Sequence, residues 1–174
     1  MSNARTIILC LIFGAMSYSL SAFADPDHSC QLRGSYGYLY TGTSYPGGST
    51  VPFTETGYFA IKNGGNVIGE GVLALNFSNF AGSGQPLWLL VNESQSNGTI
   101  LQKEDNHCAG TIQFLATWTV AKTSNPSLVP EGTVLFTDSP RSIAYTVSGS
   151  HNEVVDMIST SPGTIASGTA HRSK

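Results

Sequence analysis

The stretch TIQFLATWTV, residues 111–120, decides the fold class of this chain. Polar and apolar residues alternate along it with a period of two, and Leu115 is the exception. Such alternation is typical of a strand with one buried face and one wetter face. Its apolar face consists of Ile112, Phe114, Ala116, Trp118 and Val120. The stretch predicts a β-strand, and the same pattern recurs on both sides of it.

Glycine, proline, serine and threonine interrupt the rest of the chain about every ten residues. Between the interruptions lie short runs rich in β-branched and aromatic residues, which indicates an all-β domain. Three hairpins are predicted: 57–62 with 66–75, 98–103 with the strand after Cys108, and 142–147 with 153–159. Further strands are predicted at 36–43, 86–92, 132–136 and 163–172.

About eight to ten strands joined by hairpin-length links favour a single antiparallel up-and-down β-barrel over a sandwich. The predicted organisation is a signal peptide (1–24), a lead-in (25–33) and a barrel domain (34–172). Near the end of the chain, Pro162-Gly163 has the residues of a type II turn. We expect residues 164–171 after this turn to be the closing strand, with only 172–174 free.

The first residues have the pattern of a cleaved secretory signal. Arg5 precedes a run of ten apolar or small residues, 7–16, and Ala22-Phe23-Ala24 has small residues where a signal peptidase reads them. The alternative is a membrane anchor, but the apolar run is shorter than the roughly 20 residues that a spanning helix needs. We expect cleavage between Ala24 and Asp25, a secreted or periplasmic protein, and no transmembrane anchor after cleavage.

Charge and cysteine content narrow the functional classes. Loss of Arg5 leaves 7 of the 8 basic side chains against 11 acidic ones, a net charge of −4 without a basic cluster. Nucleic acid is therefore not an expected partner, because its binding depends on phosphate neutralisation. Cys30 and Cys108 remain after cleavage and are predicted to form a disulfide. The alternative, a metal or nucleophile site at His107 and Cys108, lacks the spacing of further ligands.

Four segments resemble a group of small secreted bacterial proteins, mostly of unknown function: CQLRGSYGYLYTGT, GYFAIKNGGNVIGEG, NGTILQKEDNHCAGTIQF and ISTSPGTIASGTAHR. That group looks like the barrels of the allene oxide cyclase and dirigent type, which are calycin-like. The resemblance covers most of the chain after the signal and implies a barrel. The chain departs from it at Ser161, where the group usually has Asp, and in longer inserts at 77–97 and 121–131. No catalytic residue can be carried over.

Few side chains are candidates for a catalytic or binding role. Glu70 and Asp156 are the weak catalytic candidates, on the condition that their strand faces point inward, and the favoured interpretation places both in solvent. The candidate ligand-lining aromatics are Tyr36, Tyr38, Tyr40, Trp88 and Trp118. Four dispersed histidines are interpreted as surface residues, and no metal site or cofactor is expected. Asn76, Asn92 and Asn97 begin glycosylation sequons, which have meaning only in a eukaryotic host.

Two functional classes remain. The first is a non-catalytic barrel that binds a small apolar or amphipathic ligand or a surface partner. The second is a cofactor-independent cyclase or isomerase that acts on a hydrophobic intermediate in the lumen, as the resemblance permits. The absence of a convergent polar motif favours the first, and whether the protein is an enzyme is left open. A purely structural role is a third alternative that the sequence leaves open, and so is the oligomeric state.

Overall fold

A computed structural model describes residues 32–45, 49–80, 83–103, 106–148 and 153–173. In these ranges the chain forms eight strands: β1 (Gly34–Ser44), β2 (Val51–Ile61), β3 (Val67–Phe77), β4 (Leu87–Lys103), β5 (Asn106–Thr123), β6 (Val134–Ser148), β7 (Val154–Ser159) and β8 (Thr164–Arg172). The predicted signal peptide, its cleavage site and Cys30 lie outside the described residues. The described strands begin at residue 34 and end at residue 172, the predicted bounds of the barrel domain.

The eight strands form one closed antiparallel barrel in which each strand pairs with its neighbours in the sequence. The last strand closes it, because β8 pairs with β1 in a continuous register that includes Tyr38↔Ala170 and Thr43↔Ile165. The predicted all-β, up-and-down barrel is therefore confirmed. In the described ranges, no helix has the length and apolar character needed to cross a membrane.

Two of the predicted turns lie within the described residues, and both are present where the sequence places them. Between β2 and β3, the amide of Lys62 donates to the carbonyl of Asn66 at 2.8 Å, and Gly64 and Gly65 have the positive φ values of 86° and 81°. Gly163 has a φ of 71°, and the amide of Thr164 donates to the carbonyl of Ser161 at 3.3 Å. Both turns use glycine where a side chain would be strained.

The described residues form eight strands, the lower end of the predicted eight to ten, and several of these strands are longer than predicted. Residues 86–92 and 98–103 belong to one strand, β4, which bulges where Asn97 takes a φ of 52°. Residues 132–136 and 142–147 likewise belong largely to β6, which is irregular at Asp138, with a φ of 49°. A bulge allows a strand to bend and continue, so a local break in the pattern did not mean the end of a strand.

The closing strand also extends beyond its predicted end. The amide of Arg172 donates to the carbonyl of Glu153 at 2.9 Å, and the amide of Ser173 donates to that of Ser35 at 2.8 Å. The expectation that residues 172–174 are free is therefore wrong for the first two of them. Pairing continues because β8 lies between β7 and β1 and both neighbours offer acceptors.

Alternating residues of each strand point into the barrel, and glycines make room for the largest of them. A Cβ on Gly57 would lie 2.9 Å from the Tyr38 hydroxyl oxygen, and a Cβ on Gly71 would overlap the same atom. Gly168 makes similar room for the ring of Tyr40. The in-strand glycines therefore let bulky tyrosines from β1 lie across the lumen.

Candidate functional site

The interior is apolar at one end of the barrel and polar in its middle. At the end where β1 begins, the rings of Tyr36 and Phe59 stack with centroids 5.1 Å apart, and Leu32 is buried in the same core cluster. We call the opposite end, where β1 ends and β2 begins, the mouth. The candidate site lies between the middle of the barrel and the mouth.

Six side chains from five strands form the inner cluster: Tyr38, Glu55, Glu93, Gln95, Trp118 and Arg141. The Tyr38 hydroxyl donates to Glu55 Oε1 at 2.5 Å. The Gln95 amide nitrogen donates to the Tyr38 hydroxyl at 3.1 Å and to Glu93 Oε1 at 2.7 Å. Glu55, Glu93 and Gln95 are 4%, 3% and 8% exposed. Most buried polar groups in proteins are hydrogen-bonded, and Glu55, Glu93 and Gln95 all have partners within the cluster.

Trp118 and Arg141 complete the cluster on the side of the mouth. The indole N–H of Trp118 donates to Glu93 Oε2, and Arg141 Nη1 lies 4.0 Å from the same oxygen. The Arg141 guanidinium carbon lies 5.1 Å from the centroid of the Trp118 ring, within the range of a cation–π contact. Two donors and a cation therefore converge on the Glu93 carboxylate.

Burial and crowding of like charges perturb the titration of the cluster. Burial and the nearby Glu93 raise the pKa of Glu55 to about 7, although the Tyr38 hydrogen bond and Arg141 act in the opposite direction. Burial, followed by the two carboxylates, raises the pKa of Tyr38 well above its usual range. Burial raises the pKa of Tyr40 to about 12. The cluster therefore gains or loses a proton at Glu55 near neutral pH.

A small inner cavity of about 20 Å³ adjoins the cluster. Tyr38, Tyr40, Glu55, Gln95 and Arg141 line it together with apolar side chains. A volume of this size accommodates about one water molecule. It is too small for an organic ligand in this conformation.

A larger mouth pocket of about 490 Å³ opens beyond the cluster. Its wall is mainly apolar and aromatic, with Tyr45, Phe77, Phe80, Trp118 and Phe136 among its members. Trp118 and Arg141 belong both to this wall and to the inner cluster. Among the described residues that line the pocket, Arg141 is the only charged side chain. The volume lies in the range of about 300–1,000 Å³ that is usual for small-molecule sites.

Most of the candidate aromatics point into the barrel. Tyr36, Tyr38 and Tyr40 are buried in the core, and Trp118 lies between the inner cluster and the mouth pocket. Trp88, another candidate ligand-lining aromatic, does not line the mouth pocket. It is 48% exposed on the outer face of β4, because the inward residues of that segment are Leu87, Leu89 and Val91.

The two carboxylates singled out from the sequence lie on the outside. Glu70 in β3 and Asp156 in β7 are both exposed, and their strand neighbours on either side point inward. A catalytic role required both side chains to point into the barrel, and that hypothesis is wrong. The favoured interpretation, that both are exposed to solvent, is confirmed. The sequons at Asn76, Asn92 and Asn97 are also exposed.

The buried carboxylates that the structure brings together were missed. Glu55 and Glu93 lie in parts of β2 and β4 that were not predicted as strand, and the same holds for Gln95. The alternation of inward and outward residues could have revealed them. Glu55 continues the inward positions of Val51 and Phe53. Glu93 continues those of Leu89 and Val91. Arg141 has no such signal, because the irregular segment of β6 precedes it.

The described residues contain no group of three or more His, Cys, Asp and Glu side chains placed to hold a metal ion. His171 is exposed, and the side chains of the other histidines lie outside the described part of the chain. Cys108 lies in β5, but its predicted partner Cys30 is outside the described residues. The disulfide therefore stays a prediction.

Comparison with known proteins adds no assignment. No protein-family model, no curated protein and no solved structure matches the chain. The resemblance to the allene oxide cyclase and dirigent barrels stays a prediction from the sequence. A barrel fold alone does not define a function, because one fold hosts many activities.

Proposed function

We propose that this protein binds a small apolar or amphipathic molecule in the mouth pocket. The observation that carries the proposal is the combination of an aromatic-walled pocket of about 490 Å³ with a polar floor, at the open end of a closed barrel. Small-molecule sites typically have this composition, an apolar wall with a few placed polar groups. Burial of the ligand's apolar surface supplies the affinity, and the floor fixes its orientation.

The test is titration of the purified protein with N-phenyl-1-naphthylamine, an uncharged probe that fluoresces in apolar sites. Ser139 lines the pocket, and tryptophan there should fill it and abolish saturable binding. Ser167 is exposed on the outer face of β8, and the same substitution there is the matched control. Equal binding by both variants, or no binding by the wild type, would reject the pocket. Native mass spectrometry of protein from its own host would then show whether a molecule co-purifies.

A cofactor-independent cyclase or isomerase is the second candidate. The burial of Glu55 beside Glu93 favours it, because this environment raises the pKa of Glu55 to about 7, where a carboxyl can exchange a proton at neutral pH. Glu55 lines the inner cavity and not the mouth pocket, so a substrate would have to displace Trp118 or Arg141 to reach it. For this reason the binding function ranks first. Conversion of a co-purified molecule by wild type but not by Glu55→Gln would reverse the order.

We further propose that the chain is exported, cleaved between Ala24 and Asp25, and linked by a Cys30–Cys108 disulfide. The apolar amino-terminal run and the pair of cysteines that remains after cleavage support this. Amino-terminal sequencing of the extracellular or periplasmic protein should start at Asp25. Thiol titration of the unfolded mature protein should find no free thiol, and two free thiols would disprove the disulfide.

A further inference from the structure

The charge at the floor of the mouth pocket is already balanced within the protein. Arg141 Nη1 lies 4.0 Å from Glu93 Oε2, and the two side chains are 11% and 1% exposed. Glu93 also accepts hydrogen bonds from the Gln95 amide and the Trp118 indole N–H, so both of its oxygens have partners within the protein. The guanidinium therefore meets the pocket as one half of an ion pair and not as an unmatched cation.

A second carboxyl makes the floor unfavourable for an anion. Glu55 and Glu93 are bridged through Tyr38 and Gln95, so two acidic groups face the one cation, Arg141. An anionic ligand at Arg141 would add a third acidic group to this buried cluster. Like charges a few ångströms apart repel strongly where water is excluded.

A cationic ligand is disfavoured because the charge that faces the pocket is itself positive. The charged side chain that the ligand would meet in the mouth pocket is Arg141, and the described residues of the pocket wall include no carboxylate. An arginine carries five N–H donors, so donors remain after it pairs with Glu93. A neutral oxygen acceptor can use these donors without changing the charge of the floor.

We infer that the ligand of the mouth pocket is an uncharged molecule with an apolar body and one hydrogen-bond-accepting oxygen, such as a carbonyl, ester or ether, which Arg141 receives. This inference rests on the proposed binding function and narrows it to a chemical class. Arg141 is then the residue that determines specificity, and Glu93 sets the charge preference through it.

Two probes with one aromatic skeleton test the preference. N-phenyl-1-naphthylamine is neutral, and 8-anilinonaphthalene-1-sulfonate adds a permanent negative charge. Neutralising both inner carboxyls, in Glu55→Gln/Glu93→Gln, should shift the ratio of the two affinities toward the anion by at least about tenfold, because it leaves Arg141 unmatched. Glu70→Gln/Asp156→Asn removes the same two charges from the outer face and is the matched control.

The outcomes separate the two proposals. If the wild type binds neither probe, the proposed binding site itself is rejected. Binding of both probes with an unchanged ratio in the inner variant, or with an equal shift in the control, overturns the inference and leaves the pocket intact. Arg141→Met should weaken binding of a neutral ketone, measured by displacement of the neutral probe, and an unchanged ketone affinity would also contradict the role of Arg141.

The wild type offers a second measurement if the inner variant does not fold. The groups that face Glu55 are Tyr38 and Tyr40 from β1, Glu93 and Gln95 from β4, and Arg141 from β6. Because Glu55 takes up a proton below pH 7, acidification from pH 8 to pH 6 should raise the affinity for the sulfonate relative to the neutral probe by several-fold. A ratio independent of pH would count against the inference.

Discussion

Replacement of Glu55 by glutamine isolates the charge of the inner cluster, because the two side chains have nearly the same shape. Glu55 is 4% exposed and accepts the Tyr38 hydroxyl at 2.5 Å, a bond that a glutamine carbonyl oxygen can also accept. Burial and Glu93 raise its pKa to about 7 from an ordinary value of 4.5. The folded protein therefore keeps a proton on Glu55 at pH values where the unfolded chain has lost it.

The size and sign of the effect follow from this difference. Each pKa unit corresponds to about 1.4 kcal/mol, so a change from 4.5 to about 7 corresponds to about 3 kcal/mol. Because the folded pKa is the higher one, wild-type stability is unaffected by Glu55 below pH 4.5 and falls as the pH rises to 7. Glu55→Gln should match the wild type near pH 4.5 and exceed its unfolding free energy by about 3 kcal/mol at pH 8.

Urea denaturation at pH 4.5, 6 and 8 measures this difference directly. Glu70→Gln is the matched control, because it replaces a carboxyl by an amide on the exposed outer face of β3 and leaves the inner cluster unchanged. A Glu55→Gln variant that is less stable than the wild type at pH 8 would refute the reasoning. So would a difference that stays constant from pH 4.5 to pH 8.

Two further predictions concern the barrel wall and its closure. Gly71→Ala should cost about 1–3 kcal/mol of stability, because the added methyl overlaps the Tyr38 hydroxyl, and Tyr38→Phe should recover part of the loss. Gly37→Ala should be tolerated, because the nearest heavy atom to an added Cβ there lies at 3.9 Å. Thermal denaturation of both variants measures the difference, and equal losses of stability would contradict the prediction. Deletion of residues 163–174 removes β8 and should unfold the domain, whereas a stable truncation with native-like circular dichroism would show that closure is dispensable.

The sequence predicted the architecture well because local signals determine most of it. Period-two alternation identified the inward face of β5 correctly, and glycine-containing turns identified the hairpin between β2 and β3. In an up-and-down barrel, sequential hairpins specify the pairing of strands without long crossovers. The merged strands β4 and β6 escaped prediction because a bulge interrupts the pattern locally while pairing with the neighbouring strand continues.

The site was harder to predict from the sequence, because it depends on which charged residues occupy inward-facing positions of their strands. Glu55 follows Val51 and Phe53 at alternate positions, yet a strand start placed at residue 57 excluded it. Glu93 was excluded in the same way by a strand end placed at residue 92. The pairing of Glu93 with Arg141 joins residues far apart in sequence, and it requires the closed barrel to be known.

Trp118 lies on the wall of the mouth pocket, so its fluorescence can report on ligand binding there. The chain has two tryptophans, so Trp88→Phe leaves only Trp118, on the pocket wall, and Trp118→Phe leaves only Trp88, on the outer face. Acrylamide quenching of each single-tryptophan variant should be measured with and without a saturating neutral, non-fluorescent ketone. We predict that the ligand shields Trp118 from acrylamide and leaves Trp88 unchanged. Equal quenching of Trp118 with and without ligand, at concentrations where the ketone displaces the neutral probe, would contradict the account.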